Sequence, residues 1–136
     1  MKRIKLKKKS KQPISGLKRK LELLCKLIMR KQYPNVCYTC GQTGLIGSNW
    51  QTGHVPWPKS VLGAYLKYDL RVIRPQCWLC NIHHGGMGAE AYIKMLEEIG
   101  EEKMAQLQKD RQVTVKAYDH YMKLISEYED ILKNLQ

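Results

Sequence analysis

The chain has 136 residues and a formal net charge of +12 at pH 7, which is the size of one typical domain with a large excess of positive charge. It contains no apolar run near the roughly 18 residues that a membrane span requires, and no signal-peptide pattern follows its basic start. We therefore expect a cytoplasmic protein with no membrane partner. The charge is uneven: residues 1–36 hold 13 Lys and Arg and one acid, whereas residues 37–136 hold 11 basic and 11 acidic residues. This imbalance favours a polyanion such as nucleic acid as the partner of the N-terminal quarter, with a solubilising tail as the alternative.

The chain begins with a predicted basic arm over residues 1–14, followed by a predicted basic amphipathic helix over residues 15–34. Seven of the first eleven residues are Lys or Arg, and their mutual repulsion predicts disorder without a ligand. Ser15 is the candidate N-cap of the helix. One helical face is apolar and comprises Leu17, Leu21, Leu24, Cys25 and Ile28. A place on that face predicts core packing for Cys25 rather than metal ligation. Candidate DNA contacts on the remaining surface are Lys18, Arg19 and Lys20.

Two Cys-x-x-Cys pairs are the strongest signal in the sequence. Cys37 and Cys40 form the first pair, and Cys77 and Cys80 form the second. Paired cysteines in an intracellular chain favour a metal site over disulfides. Four thiolates complete the tetrahedral coordination of one zinc ion, so we expect a structural zinc with no position open for chemistry.

Residues 35–100 are predicted to form the core of the domain, an irregular region with two short strands. Residues 50–57 are predicted to form a strand or a hairpin that ends at Pro56. A second strand is predicted at residues 68–74 and leads into the second cysteine pair. Three tryptophans lie near the pairs, and we expect them to pack over the small core rather than to stack on bases. They are Trp50, Trp57 and Trp78.

Residues 101–136 are predicted to form a C-terminal helical region. The pattern predicts helices over 89–99 and 101–109, separated at Gly100, and a third helix from Thr114 to the C-terminus. The third carries an apolar seam comprising Ala117, Tyr121, Leu124, Tyr128, Ile131 and Leu135. The seam can pack within the chain or against a second copy. The mixture of helices and short strands predicts the α+β class.

His54 and Asn81 are the candidate catalytic residues. Phosphodiester hydrolysis needs a base that deprotonates water, and a neutral imidazole does this near pH 7. It also needs a divalent cation, for which the amide oxygen of asparagine is a suitable hard ligand. A histidine on a strand and an asparagine at the start of a helix, tied together by a zinc knuckle, is the layout of a ββα-metal nuclease. The alternatives are that His54 is an ordinary surface or core histidine, or a fifth candidate ligand of the zinc site.

These motifs resemble the phage NinG/Rap recombination proteins and, more widely, the HNH superfamily with phage endonuclease VII. The resemblance covers residues 31–136 and rests on both cysteine pairs, Gly53-His54, Leu70-Arg71, Asn81 and His83 after Cys80, the stretch from Tyr92 to Ile99-Gly100-Glu101-Glu102, and the segment from Thr114 to Tyr128. It implies a structure-specific endonuclease that cleaves Holliday junctions or other branched DNA in a phage or bacterial host cell. By this resemblance His54 is the base and Asn81 binds magnesium or manganese.

Two positions depart from the HNH pattern. HNH enzymes usually carry an acidic metal ligand just before the base, where this chain has Gly53. Many also carry an asparagine five residues before the second knuckle, where this chain has Val72. The Gly-His pair is shared with NinG-like proteins. Either Asn81 holds the metal with little help, as in His-Cys box homing endonucleases, or His83 or another group completes the shell.

The remaining expectations concern DNA contacts and assembly. Arg71 and Arg74 bracket the second predicted strand and either contact phosphate or face solvent. Symmetric cleavage of a four-way junction needs two active sites, so we expect a homodimer. The rival hypotheses are a non-catalytic zinc module that only binds nucleic acid and an HNH nuclease that acts on ordinary duplex DNA.

Overall fold

The computed structural model describes residues 12–136 and shows a protein of the α+β class. The regular elements of that range are α1 Ile14–Gln32, β1 Gln51–His54, α2 Ala64–Lys67, β2 Ile73–Gln76, α3 Gly88–Asp110 and α4 Ala117–Asn134. The prediction that the basic arm is disordered concerns mainly residues 1–11, which lie outside the described residues.

Helix α1 confirms the predicted basic amphipathic helix but not its cap. The helix begins before Ser15, and the carbonyl of Pro13 accepts hydrogen bonds from the N–H groups of Gly16 and Leu17 at 3.0 and 3.3 Å. No side chain caps this end, because the residue at the cap position, Pro13, has no side-chain oxygen that could accept a backbone N–H. The predicted apolar face is buried, and Cys25 lies within the core as expected.

Helix α4 packs along α1. The seam residues Tyr121, Leu124 and Tyr128 are buried in this contact. Tyr128 also donates a hydrogen bond to the carbonyl of Tyr68 at 2.6 Å. The structure therefore selects the first alternative, packing within the chain, for the central part of the seam, whereas Leu135 at its end is exposed. The helix begins at Ala117, three residues after the predicted start.

The two strands form one antiparallel sheet in which Gly53 faces Arg74 and His54 faces Ile73. The first strand lies inside its predicted range, but the prediction of a strand over 68–74 is wrong for most of its length. Asp69 caps a 3-10 turn by accepting the N–H of Arg71 at 2.9 Å. The strand therefore begins only at Ile73, after that turn.

Helix α3 contains the predicted interruption at Gly100. This residue has φ +85° and ψ 165°, a conformation that glycine adopts without the steric cost paid by other residues. Helical segments lie on both sides, as expected, and each contributes buried side chains to the core. None of the helices within residues 12–136 combines the length and the hydrophobicity needed to cross a membrane.

Candidate functional site

The four paired cysteines come together at one point, as predicted. Their sulfur atoms all lie within 4.8 Å of one another, and the Cys40 and Cys77 sulfurs are 3.7 Å apart. Zinc–sulfur bonds of about 2.3 Å place two tetrahedral ligands about 3.8 Å apart. The set can therefore hold a metal ion such as zinc. The first pair precedes β1, and the second directly follows β2.

The local environment already favours ionisation of one of these thiols. Burial opposes it at Cys37, but the Thr39 hydroxyl, 3.5 Å from the sulfur, and nearby backbone groups lower the pKa to about 6. At Cys80 burial prevails and raises the pKa to about 12. A bound cation would deprotonate all four thiols, because a coordinating thiol gives up its proton to the field of the metal.

The structure places His54 and Asn81 on one cleft of about 840 Å³. His54 is the last residue of β1, and Asn81 lies in the π-helical turn Leu79–His83, which begins between the cysteines of the second pair. Helix α1 forms another part of the wall and supplies Arg19 and Lys26. The two candidate catalytic side chains, which are distant in sequence, therefore border the same basic cleft.

A hydrogen bond fixes the tautomer of His54. Its Nε2 atom lies 2.7 Å from the carbonyl oxygen of Lys67. A carbonyl can only accept, so Nε2 carries the hydrogen and Nδ1 keeps a lone pair. Burial lowers the pKa of His54 from its ordinary 6.5, and the nearby charge of Lys59 acts in the same direction. The ring is therefore neutral at pH 7, the state that a general base requires.

The side chain of Asn81 is oriented by a hydrogen bond that its amide nitrogen donates to Gln51. Its Nδ2 donates to Gln51 Oε1 at 3.5 Å, and its backbone N–H donates to the carbonyl of Cys77 at 3.0 Å. The side-chain oxygen accepts no hydrogen bond from the described residues. Asn81 is thus held by the second cysteine pair through its backbone and keeps a hard oxygen available for a cation.

His83, the alternative ligand that would complete the metal shell, does not line this cleft. Its exposed ring stacks against Trp78, with 6.3 Å between centroids and 19° between planes. Trp78 itself is 47% exposed, so the prediction that it packs over the core is wrong. The other two tryptophans follow that prediction, since Trp50 is buried and Trp57 is half-buried.

The two arginines of the predicted second strand both form ion pairs within the protein, but only Arg74 is buried. Arg74 is only 4% exposed and pairs with Glu98 at 2.5 Å, which rules out both contact with phosphate and exposure to solvent. Arg71 is more exposed, but it pairs with Asp69 at 2.8 Å and with Asp110 at 2.9 Å. Both guanidinium groups therefore stabilise the fold.

The three basic candidates of α1 have different surroundings. Arg19 is exposed and lines the cleft. Lys20 forms an ion pair with Glu129 of α4 at 2.7 Å, and Lys18 is half-buried. Of these three, only Arg19 borders His54 and Asn81 across the cleft.

Gln76 is a structural determinant of the site that sequence reasoning missed. It is fully buried, and its Nε2 donates to the carbonyl of Gly86 at 2.9 Å and to the Thr39 hydroxyl at 3.1 Å. Its amide also covers Gly53, where a Cβ atom would lie 2.6 Å from Gln76 Cδ. Gln76 thus links the first cysteine pair, the strand of His54 and the loop after Asn81. A neutral amide next to Cys77 carries no signal in one sequence.

The fold and the site together define a small α+β protein in which four clustered cysteines, which can hold a metal ion, lie beside a basic cleft. The family model described as Bacteriophage Lambda NinG protein matches residues 1–136, and the chain therefore belongs to the NinG family.

Individual relatives agree with this assignment. Protein ninG of Salmonella phage P22 is 26% identical over 100 residues, which is 74% of this chain and 47% of that protein. Protein ninG of Escherichia phage lambda is 24% identical over 100 residues, covering 74% of this chain and 47% of the relative. The chain spans about half the length of the curated relatives it matches. No solved structure matches the chain significantly.

Proposed function

We propose that this protein is a metal-dependent endonuclease of the HNH type that cleaves Holliday junctions or other branched recombination intermediates. The observation that carries the proposal is the meeting of His54 and Asn81 at one cleft whose wall includes Arg19 and Lys26. The resemblance to NinG/Rap recombination proteins supports branched DNA as the substrate.

His54 acts as the base in this proposal. Its Nδ1 takes a proton from the water that attacks the phosphorus atom, while the bond to the leaving 3′ oxygen breaks. The hydrogen bond from Nε2 to the Lys67 carbonyl keeps the ring in the required tautomer and stabilises the imidazolium that forms. The lowered pKa of His54 ensures that the ring is neutral before the reaction.

Asn81 holds the catalytic cation through its side-chain oxygen, and magnesium or manganese suits that oxygen. When bound, the ion offsets negative charge on the phosphate and on the leaving oxygen. Glu22 is the one carboxylate among the described residues of the cleft wall, and it is paired with Lys59 at 2.6 Å. Arg19 and Lys26 hold the phosphates that flank the cleaved bond.

The four cysteines bind zinc as a structural ion in this proposal, since all four tetrahedral positions are filled by thiolates. Two copies of the chain act on one junction, each cutting one strand. Because the central part of the α4 seam is buried against α1, this dimer uses another surface.

A cleavage assay tests the proposal. The zinc-loaded chain is incubated with a labelled four-way junction or with a linear duplex of matched sequence, in magnesium or manganese. We expect cleavage of the junction, and we expect His54→Ala and Asn81→Ala each to lower its rate by about 10²- to 10⁴-fold. His84→Ala is the matched control, because this exposed histidine lies outside the cleft.

Each hypothesis has its own refuting result. Cleavage of neither substrate by the wild type would refute the enzyme and leave the non-catalytic nucleic-acid-binding module. Equal cleavage of both would refute the preference for branched DNA. Full activity of His54→Ala would refute the assignment of the base.

A further inference from the structure

An exposed aromatic surface lies at the rim of the cleft. Trp78 is 47% exposed, and the ring of His83 stacks against it at 19°. The backbone N–H of Trp78 donates to Asn49 Oδ1 at 2.9 Å, which joins this surface to the loop whose residues Gly47 and Ser48 line the cleft. Three residues after Trp78, Asn81 lines the same cleft. The aromatic pair is therefore attached to the cleft rim at two points.

Trp78 is the most exposed of the three tryptophans. Trp50 is 3% exposed, with the Arg30 guanidinium 4.9 Å from its ring. The half-buried Trp57 carries the guanidinium of Arg111 at 4.4 Å. Among the described residues, the ring of Trp78 has only His83 as an aromatic or cationic neighbour. Trp78 shares its turn with the exposed side chains of Leu79 and Ile82, and a group of neighbouring exposed apolar side chains points to a binding role.

We infer that Trp78, extended by His83, is a stacking platform for an unpaired nucleobase of the DNA held in the cleft. This inference deepens the proposed function, on which it rests, by giving the protein a means to distinguish branched or gapped DNA from continuous duplex. A base in a duplex is already stacked on its neighbours, whereas a base at a gap or a branch point offers a free face to an aromatic ring.

Charge favours this occupant over a protein partner. The lining of the adjoining cleft carries Arg19, Lys26 and Lys59 against the single acid Glu22, so the rim attracts a polyanion. Leu79 and Ile82 are exposed on the same turn, at 50% and 54%, and a contact between two copies of the chain through this turn is the rival that an experiment must separate.

Binding without catalysis tests the platform. The zinc-loaded chain of residues 1–136 is titrated, in the absence of magnesium and manganese, against a duplex with a short single-stranded gap and against the fully paired duplex. Stacking on one base is worth enough that Trp78→Ala should weaken binding to the gapped DNA about tenfold. It should leave the paired duplex within about twofold, because phosphate contacts dominate there. Trp78→Phe should retain most of the preference, and Leu79→Ala is the matched control on the same turn.

Intrinsic fluorescence gives a readout that does not depend on the alanine variant. Gapped DNA should quench the tryptophan emission of the wild type, and this quenching should be lost in Trp78→Phe. Zinc content is measured for every variant, and if Trp78→Ala loses zinc, the quenching comparison decides.

Several results would overturn the platform. These are equal weakening of both DNAs by Trp78→Ala, no weakening of either, quenching that persists in Trp78→Phe, or a shift from dimer to monomer in sedimentation of Trp78→Ala. The last result would identify the surface as a contact between copies. Binding is measured without cleavage, so it tests the platform separately from the nuclease. The platform can fail in a protein that cleaves DNA, and it can be confirmed in a protein that does not.

Discussion

Replacing Gly53 with alanine tests whether the buried amide of Gln76 fixes the strand that carries the proposed base. An alanine Cβ at position 53 would overlap Gln76 Oε1 and would lie 2.6 and 2.8 Å from its Cδ and Cγ atoms. Gln76 is fully buried and cannot swing into solvent. The amide must therefore shift away from the Gly86 carbonyl and the Thr39 hydroxyl, both of which it now contacts.

The cost follows from these contacts. Overpacking a well-filled site costs about 1–3 kcal/mol, and each hydrogen bond lost from a buried amide costs about 1 kcal/mol. We expect Gly53→Ala to lower the free energy of unfolding by about 3 kcal/mol. In a Gln76→Ala background the space is open, so the same change should cost less than about 1 kcal/mol. The expected coupling between the two positions is therefore about 2 kcal/mol.

Urea unfolding of the zinc-loaded wild type, the two single variants and the double variant measures this coupling. Gly63→Ala is the matched control, because a Cβ there meets no atom within 4 Å. Additive effects of Gly53→Ala and Gln76→Ala would refute the reasoning, as would a cost for Gly53→Ala no larger than that for Gly63→Ala.

Three further predictions concern the metal, the base and the cleft. Cys40→Ser should lower bound zinc below one equivalent and destabilise the fold, whereas Cys25→Ala should keep one equivalent, because Cys40 belongs to the sulfur cluster and Cys25 does not. Metal analysis and thermal unfolding measure the two effects. Equal zinc loss in both variants would contradict the site. The rate of cleavage should fall as the pH drops through the pKa of His54, with a midpoint below 6.5 because burial lowers that pKa; a midpoint above 6.5 in a pH–rate profile would contradict this. Arg19→Ala should reduce the slope of the logarithm of the DNA-binding constant against the logarithm of salt concentration by the amount expected for about one phosphate contact. Arg71→Ala should leave this slope unaltered, because Arg71 is paired with Asp110. Equal slopes for the two variants would contradict this distinction.

The sequence predicts features that depend on a distinctive side-chain chemistry, on helical periodicity or on the conformational freedom of glycine. The cysteine pairs were identifiable because thiolates at this spacing have few structural roles besides metal binding. The apolar face of α1 follows from helical periodicity, and the break at Gly100 follows from the freedom of glycine at positive φ.

The features that the sequence did not predict are a local cap that overrides an alternating pattern and ion pairs with distant partners. The alternation through Leu70 and Val72 indicates a strand, but the cap made by Asp69 turns the segment into a 3-10 turn. Arg71 and Arg74 looked available for phosphate, yet their partners Asp110 and Glu98 lie 39 and 24 residues further along the chain. A single sequence does not indicate such pairings.

The absence of an acid before the proposed base His54, where the HNH pattern would place one, has a local structural cause. Position 53 faces the buried Gln76, and any side chain there would collide with it. The space that a carboxylate would need is thus filled by an amide that joins the first cysteine pair to the loop after Asn81. In this chain the position before the base is used for packing, and the proposed cation depends on Asn81.

The two proposed catalytic residues are positioned by different hydrogen bonds. The position of Asn81 should therefore depend on bound zinc more than the position of His54 does. His54 is fixed by the carbonyl of Lys67, a residue of α2 that belongs to neither cysteine pair. Asn81 donates its backbone N–H to Cys77, so its position depends on the metal centre directly. Removal of zinc should therefore displace the proposed cation ligand before it disturbs the base. In the proposed nuclease, the four cysteines serve chiefly to keep Asn81 opposite a histidine that the rest of the fold already holds.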